Sequence, residues 1–250
     1  MDPLKEIVGI ILSGGQRVEL HLHTEWADES TVPLLPGHAG KRQHLRHFSE
    51  QEQRILIDTG MSLLTSAGGG TPKAFRAGSF GFNRDTLSAL SHCGIQVDSS
   101  YNAATMGPSS GVADGILLLD TVRLGNISEY PLSVVRDGIG RIRQVSLTAC
   151  SASELEDAMW SALEGRYRTF VLLFHNFDLL NQRKDHADPI TVERLRRLCK
   201  FLAANRDSFR VTDFSELPEN ADYHQPDPLP VSRLATARRI GEQFLRRLAR

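Results

Sequence analysis

Apolar residues recur along this chain in two rhythms. Where they return every three or four positions, the pattern predicts helices over 3–12, 49–66, 84–93, 151–163, 191–205 and 232–249. Pro3 suits a first helical turn, and Ser13-Gly14-Gly15 stops the first helix. Ser49 with Glu52 and Ser151 with Glu154 have the spacing of capping boxes, and Asn83 is a natural cap before residue 84. Where polar and apolar residues alternate, or a short apolar run is unbroken, strands are predicted over 17–23, 73–80, 95–99, 129–136, 170–175 and 209–213. The run Phe170-Val-Leu-Leu-Phe-His175 reads as a fully buried strand ending in a polar residue. Residues 27–47 and 101–126 lack either rhythm and read as long loops.

Strands alternating with helices imply an α/β fold, with parallel strands joined by helical crossovers in a doubly wound sheet or a barrel. The length of 250 residues allows one large domain or two small ones. A formal net charge of -1 argues against nucleic-acid binding through bulk positive charge. The three cysteines, Cys93, Cys150 and Cys199, form no C-x-x-C pair, which excludes a thiolate zinc finger and suits thiols in a reducing cytoplasm. The sequence has no apolar run of membrane-spanning length and no secretory signal pattern, so a cytoplasmic location is expected. The tail from 218 is acidic and proline-rich. The helix predicted after it carries Arg233, Arg238, Arg239, Arg246, Arg247 and Arg250 and is expected to pack on its own domain.

Three places could carry chemistry. His21 and His23 are two apart on a predicted strand, so their imidazoles share one face and can grip one divalent metal. Arg76 ends another strand, among small residues that let the backbone turn sharply. His175 ends the most apolar strand, a position suited to a general acid or a ligand. Sites assembled from the ends of several parallel strands are how α/β enzymes are built. His38, His44 and His47 lie in a basic loop, read first as solvated and second as a loop that contacts substrate. Phosphate-cradle, dinucleotide and nucleophile-elbow motifs are absent.

These residues resemble the polysaccharide deacetylase (chitooligosaccharide deacetylase) family over about residues 5–217. Val18-Glu-Leu-His-Leu-His-Thr-Glu-Trp26 looks like its histidine motif. Phe75-Arg-Ala-Gly-Ser-Phe-Gly-Phe-Asn83, followed by Gly94-Ile-Gln-Val-Asp-Ser-Ser100, looks like its arginine motif and next strand. Leu173-Phe-His175 resembles the late leucine-x-histidine motif, and Phe209-Arg-Val-Thr-Asp-Phe-Ser-Glu-Leu217 the terminal strand. The resemblance implies a distorted (β/α) barrel and metal-assisted hydrolysis of acetyl groups from an acetylated glycan. By that resemblance His21 and His23 bind a divalent metal, commonly zinc. Arg76 orients an acidic partner, Asp98 helps to position Arg76, and His175 is the general acid.

The family's first motif, an aspartate pair on its first strand, has no counterpart in the sixteen residues before Arg17, and Glu25 stands where the usual second histidine falls. The expectation is therefore a partial barrel lacking its first strands over 1–217, a proline-rich linker over 218–231 and a basic amphipathic helix over 232–250. The enzyme would be truncated or impaired, with Glu25 and Asp28 as possible substitutes for the missing acid. Two other readings stay open. Glu19-Leu-His-Leu-His-Thr24 followed by Asp28 also resembles the first metal motif of the PHP phosphoesterases, although no later T-D-H-D-like segment follows. A degenerate deacetylase-like module that binds a glycan or a protein without catalysis is the third.

Overall fold

The structure is a computed structural model, and it describes residues 2–35, 37, 40–214 and 226–248. His38, His224, the end of the terminal motif at 215–217 and most of the expected linker, 218–225, lie outside the described residues. The chain divides into two compact units, Met1–Pro131 with Thr212–Tyr223, and Leu132–Val211 with His224–Arg250.

In the first unit, helix α1 (Pro3–Ser13) is capped by Asp2, whose carboxylate accepts from the Leu4 amide at 3.0 Å. It leads into β1 (Leu20–Leu22). Helix α2 (Glu50–Ser66) crosses to β2 (Ala74–Ala77), and helix α3 (Arg84–His92) crosses to β3 (Val97–Asp98). Both capping motifs expected here are present. Ser49 and Glu52 exchange hydrogen bonds at the start of α2, and Asn83 and Thr86 do so at the start of α3. The chain then returns through an antiparallel hairpin, β4 (Val122–Leu124) and β5 (Ile127–Glu129), before the unit ends. The sheet order is β1-β2-β3-β5-β4, and β1, β2, β3 and β5 run parallel. This is the mixed α/β architecture that the alternation implies. Among the described strands the sheet ends at β1 on one side and β4 on the other, without closure into a barrel.

Register sorts the residues of this sheet onto its two faces. Leu20, Phe75, Asp98 and Glu129 stand side by side in one row, while His21 and Arg76 stand in the next, on the opposite face. The first face is covered by α2. A Cβ on Gly60 would lie 2.8 Å from Leu20 Cδ1, so glycine is what lets helix and strand approach so closely. Leu20, Leu56, Ile57, Phe75, Leu90 and Ile95 are all buried there.

The second unit holds a three-stranded sheet in the order β7-β6-β8: β6 (Val134–Arg136), β7 (Ile142–Gln144) and β8 (Leu229–Pro230). Three helices complete it, α4 (Ala152–Glu164), α5 (Pro189–Ala204) and α6 (Arg233–Leu248). Its core gathers Val135, Val145, Leu147, Leu155, Met159 and Leu198. Helix α5 starts two residues before the expected Thr191, because Asp188 caps Ile190 and Thr191 at 3.0 Å and Pro189 fits the first turn. The expected strand at 129–136 is two strands, β5 and β6. The expected strand at 209–213 has no ladder.

The apolar run 170–175 differs most from expectation. It forms one isolated bridge, Leu173 to Ser146, and its residues are half-buried or exposed rather than enclosed. Phe170 and Leu172 pack on the core of the second unit, while Phe174 is turned outward. An apolar run records what can be buried, and a neighbour on only one side buries half of it.

Candidate functional site

The candidate site lies at the carboxyl ends of the parallel strands in the first unit. His21 is the middle residue of β1, and His23 follows its end. Their rings stand edge to face with centroids 4.8 Å apart. Each is oriented through Nδ1. That of His21 lies 2.8 Å from the Arg76 carbonyl, on the strand beside it, and that of His23 lies 2.8 Å from Glu25 Oε1. Both partners accept, so both Nδ1 atoms carry the proton, and in the neutral form of each ring the lone pair sits on Nε2. Metal-binding histidines are usually held in this way, with the second nitrogen donating to a carbonyl or a carboxylate.

Glu25 belongs to a 3-10 turn, Thr24–Glu29, whose capping residue is His23. The turn is tied to the following loop by Thr24 Oγ1, 3.1 Å from the carbonyls of both Arg42 and Gln43. Burial raises the Glu25 carboxyl, and the hydrogen bond from His23 and the nearby charges of His23 and His44 outweigh it, so Glu25 titrates below the ordinary carboxylate range. Of the two acids left open by the sequence, Glu25 is the one engaged with a site histidine. Its carboxylate fixes the His23 ring, and partners of this kind are worth about 10–100-fold in metal affinity. Glu25→Ala is therefore expected to weaken zinc binding by about that factor, read by competition with a chromophoric chelator. Unchanged affinity would show that the His23 ring is set by something else.

Arg76 lies beside His21 in register and is half-buried. Its guanidinium is held by Ser99, with Nε donating to the Ser99 carbonyl and Nη2 to Ser99 Oγ, both at 2.9 Å. Burial lowers the pKa of the guanidinium, while the charges of Asp98 and Glu129 act the other way. The turn after β2 wraps tightly around the histidines. A Cβ on Gly78 would come within 2.6 Å of the Leu22 carbonyl and 3.0 Å of His23, and one on Gly81 within 2.4 Å of His44. Between these glycines Ser79 and Phe80 take φ of 52° and 58°, two successive non-glycine residues in the left-handed region. Strain of that kind costs about 1–3 kcal/mol per residue and concentrates at functional sites.

The structure brings His21, His23 and Arg76 together on one face. Asp98 lies at the same strand ends, but register puts it on the reverse face, fully buried, beside Glu129. It acts on Arg76 by charge, and its neighbour Ser99 makes the contact. His175 belongs to the second unit, where it caps the short 3-10 turn Asn176–Leu179. Its ring stacks on Phe177 at 4.7 Å, with Asp178 Oδ2 3.6 Å from Nδ1. The side chain is 45% exposed, since the segment that carries it is not a buried strand.

Sequence reasoning missed Ser99, His44 and Glu129. Among the described residues no group of three or more His, Cys, Asp and Glu side chains is arranged to hold a metal ion. His21 and His23 thus offer two of the three or four donors that zinc takes.

Neither a family model nor a curated protein matches the sequence. A solved structure that is similar over part of the chain is a Mycobacterium smegmatis protein provisionally described as a polysaccharide deacetylase. The two are 19% identical with a TM-score of 0.34, and the match covers 53% of this chain and 37% of that one. A likeness of that size carries no argument about fold or activity. No helix among the described residues is long and apolar enough to cross a membrane.

Proposed function

We propose that this chain is a metal-dependent hydrolase that removes acetyl groups from an acetylated oligosaccharide or polysaccharide, on a scaffold of the partial (β/α) barrel type. The observation that carries the reading is the shared orientation of His21 and His23, each held through Nδ1. Two adjacent imidazoles, each donating through Nδ1, direct two Nε2 lone pairs from one strand, beside the guanidinium of Arg76. A divalent ion, zinc by preference for imidazole nitrogen, supplies polarisation of the acetyl carbonyl and a more acidic bound water. The chain's own residues do the rest. His21 and His23 hold the ion's position, Glu25 keeps His23 oriented, and Arg76 orients an acidic group or the developing negative charge. Asp98 supports Arg76, and the resemblance gives His175 the part of a general acid. Three cysteines without a disulfide suit a cytoplasmic setting.

The test is acetate release from an N-acetylated chito-oligosaccharide, with and without a metal chelator. Slow, chelator-sensitive release is expected, because the family's aspartate pair has no counterpart here. Release unaffected by the chelator would overturn the metal-dependent reading. The two-donor set favours one further reading, a module that binds an acetylated glycan without cleaving it. Saccharide binding with no acetate release would select that reading.

A further inference from the structure

Asp98 and Glu129 are directly paired across β3 and β5, and both are fully buried. Each has one oxygen accounted for. Asp98 Oδ1 accepts from Ser100 Oγ at 2.5 Å, and Glu129 Oε1 accepts from the Tyr101 amide at 2.9 Å. Their other oxygens, Asp98 Oδ2 and Glu129 Oε2, are buried with no hydrogen-bond partner. Register sets the two buried carboxyl groups side by side on one face of the sheet. Two ionised carboxylates set side by side away from water repel each other and leave an oxygen of each unpartnered, whereas a single proton lets one carboxyl donate to the other.

We propose that Asp98 and Glu129 share one proton across the β3–β5 register and that this pair is a positioning device for Arg76, acting through the segment Ser99–Tyr101. The route is continuous. The pair holds Ser100 Oγ and the Tyr101 amide, and Ser100 Oγ in turn accepts from the Ala77 amide, next to Arg76, at 2.8 Å. Ser99, between these anchors, donates its hydroxyl to the Tyr130 carbonyl at 2.7 Å, and its oxygens hold the guanidinium. Glu129 is thus a positioning residue two steps from Arg76.

The electrostatics agree with the geometry. Burial pushes both carboxyls up, Asp98 to about 6 and Glu129 well above its ordinary value. The neighbouring carboxyl drives Glu129 further, and Arg76 on β2 pulls both back. Tyr101, after β3, is the other titratable group acting on the pair, and its own pKa is raised by burial and by Glu129. A carboxyl whose folded pKa is raised binds its proton more tightly in the folded chain. The stability it contributes is present at low pH and is lost as pH rises through the folded pKa. Loss of the shared proton would leave two like charges in contact without water, and the segment they anchor would loosen around Arg76.

The proposal takes its bearing on catalysis from the reading of Arg76 as a site residue, so it is tested without acetate release. Glu129→Gln keeps the shape, accepts from Tyr101 and donates to Asp98, but cannot ionise. Thermal unfolding of parent and variant is compared from mildly acid to mildly alkaline pH, together with hydrogen-exchange protection of the Arg76 Nε–H in nitrogen-15 spectra. The parent is expected to lose stability and Arg76 protection together as pH rises through neutral. Glu129→Gln is expected to hold both flat and to exceed the parent on the alkaline side. Glu129→Ala, which neither donates nor accepts, should be less stable than either at acid pH. A Gln variant that follows the parent's pH dependence, or Arg76 protection that does not change with pH in the parent, would overturn the proposal.

Discussion

Substituting both His21 and His23 by alanine is expected to reduce acetate release to the uncatalysed background. Donor count sets the size of the effect. Zinc takes at least three protein ligands in catalytic sites, and these two adjacent imidazoles, each held through Nδ1, are the donors the proposed function gives it. Losing one imidazole leaves a single side-chain donor, and losing both leaves no anchor on β1. The effect should fall on kcat, because the ion acts on the charge that develops in the transition state rather than on sugar binding. Both side chains are exposed at the end of an edge strand, so the double variant should fold. An unfolding midpoint equal to the parent's would show that lost activity is not lost structure. Activity retained by the double variant would place the chemistry elsewhere.

The largest expected effect on stability lies in the second unit. Arg143 Nη2 lies 2.8 Å from Glu154 Oε1, and its Nε lies 3.2 Å from Asp137 Oδ2. Those carboxylate side chains are 0% and 1% exposed. Arg239 of α6 approaches the same two carboxylates less closely, at 3.3 and 3.7 Å. The basic C-terminal helix therefore packs on its own unit through an arginine, with Ala235 and Thr236 buried beside it. Removing the central cation leaves two buried carboxylates to share Arg239 alone, and breaking a buried pair costs up to about 3–5 kcal/mol. Arg143→Ala is expected to lose stability on that scale in denaturant unfolding. Arg143→Lys should recover part of it, because a point charge replaces only one arm of the fork. A loss below about 1 kcal/mol would show that water reaches the carboxylates.

Legibility in the sequence followed the range of the interactions. Helices marked by local chemistry were plain: Ser49 with Glu52, Asn83 before α3 and Ser151 with Glu154 sit where the caps form. His21, His23 and Arg76 were legible because a strand's period of two places side chains without knowledge of its neighbours. In the hairpin, β4 lay hidden in the stretch 101–126 and β5 directly after it, since three-residue strands are too short to show alternation. Its one local mark was Gly125-Asn126, where Gly125 takes the positive φ of 61° that a tight hairpin turn requires. Glu129 then read as the first residue of a strand over 129–136, whereas it is the last of β5. Its pairing with Asp98 is a fact of register between segments thirty residues apart, and no local pattern encodes it. Glu25 was visible as an acid near the histidines, but only the 3-10 turn after His23 brings its carboxylate onto that ring.

Calorimetric titration of metal-free protein with zinc tests the central claim most directly. The account predicts heat from the parent at one site, binding weakened in Glu25→Ala, and no specific heat from the variant carrying both His21→Ala and His23→Ala. Equal zinc binding by the parent and that double variant would contradict it.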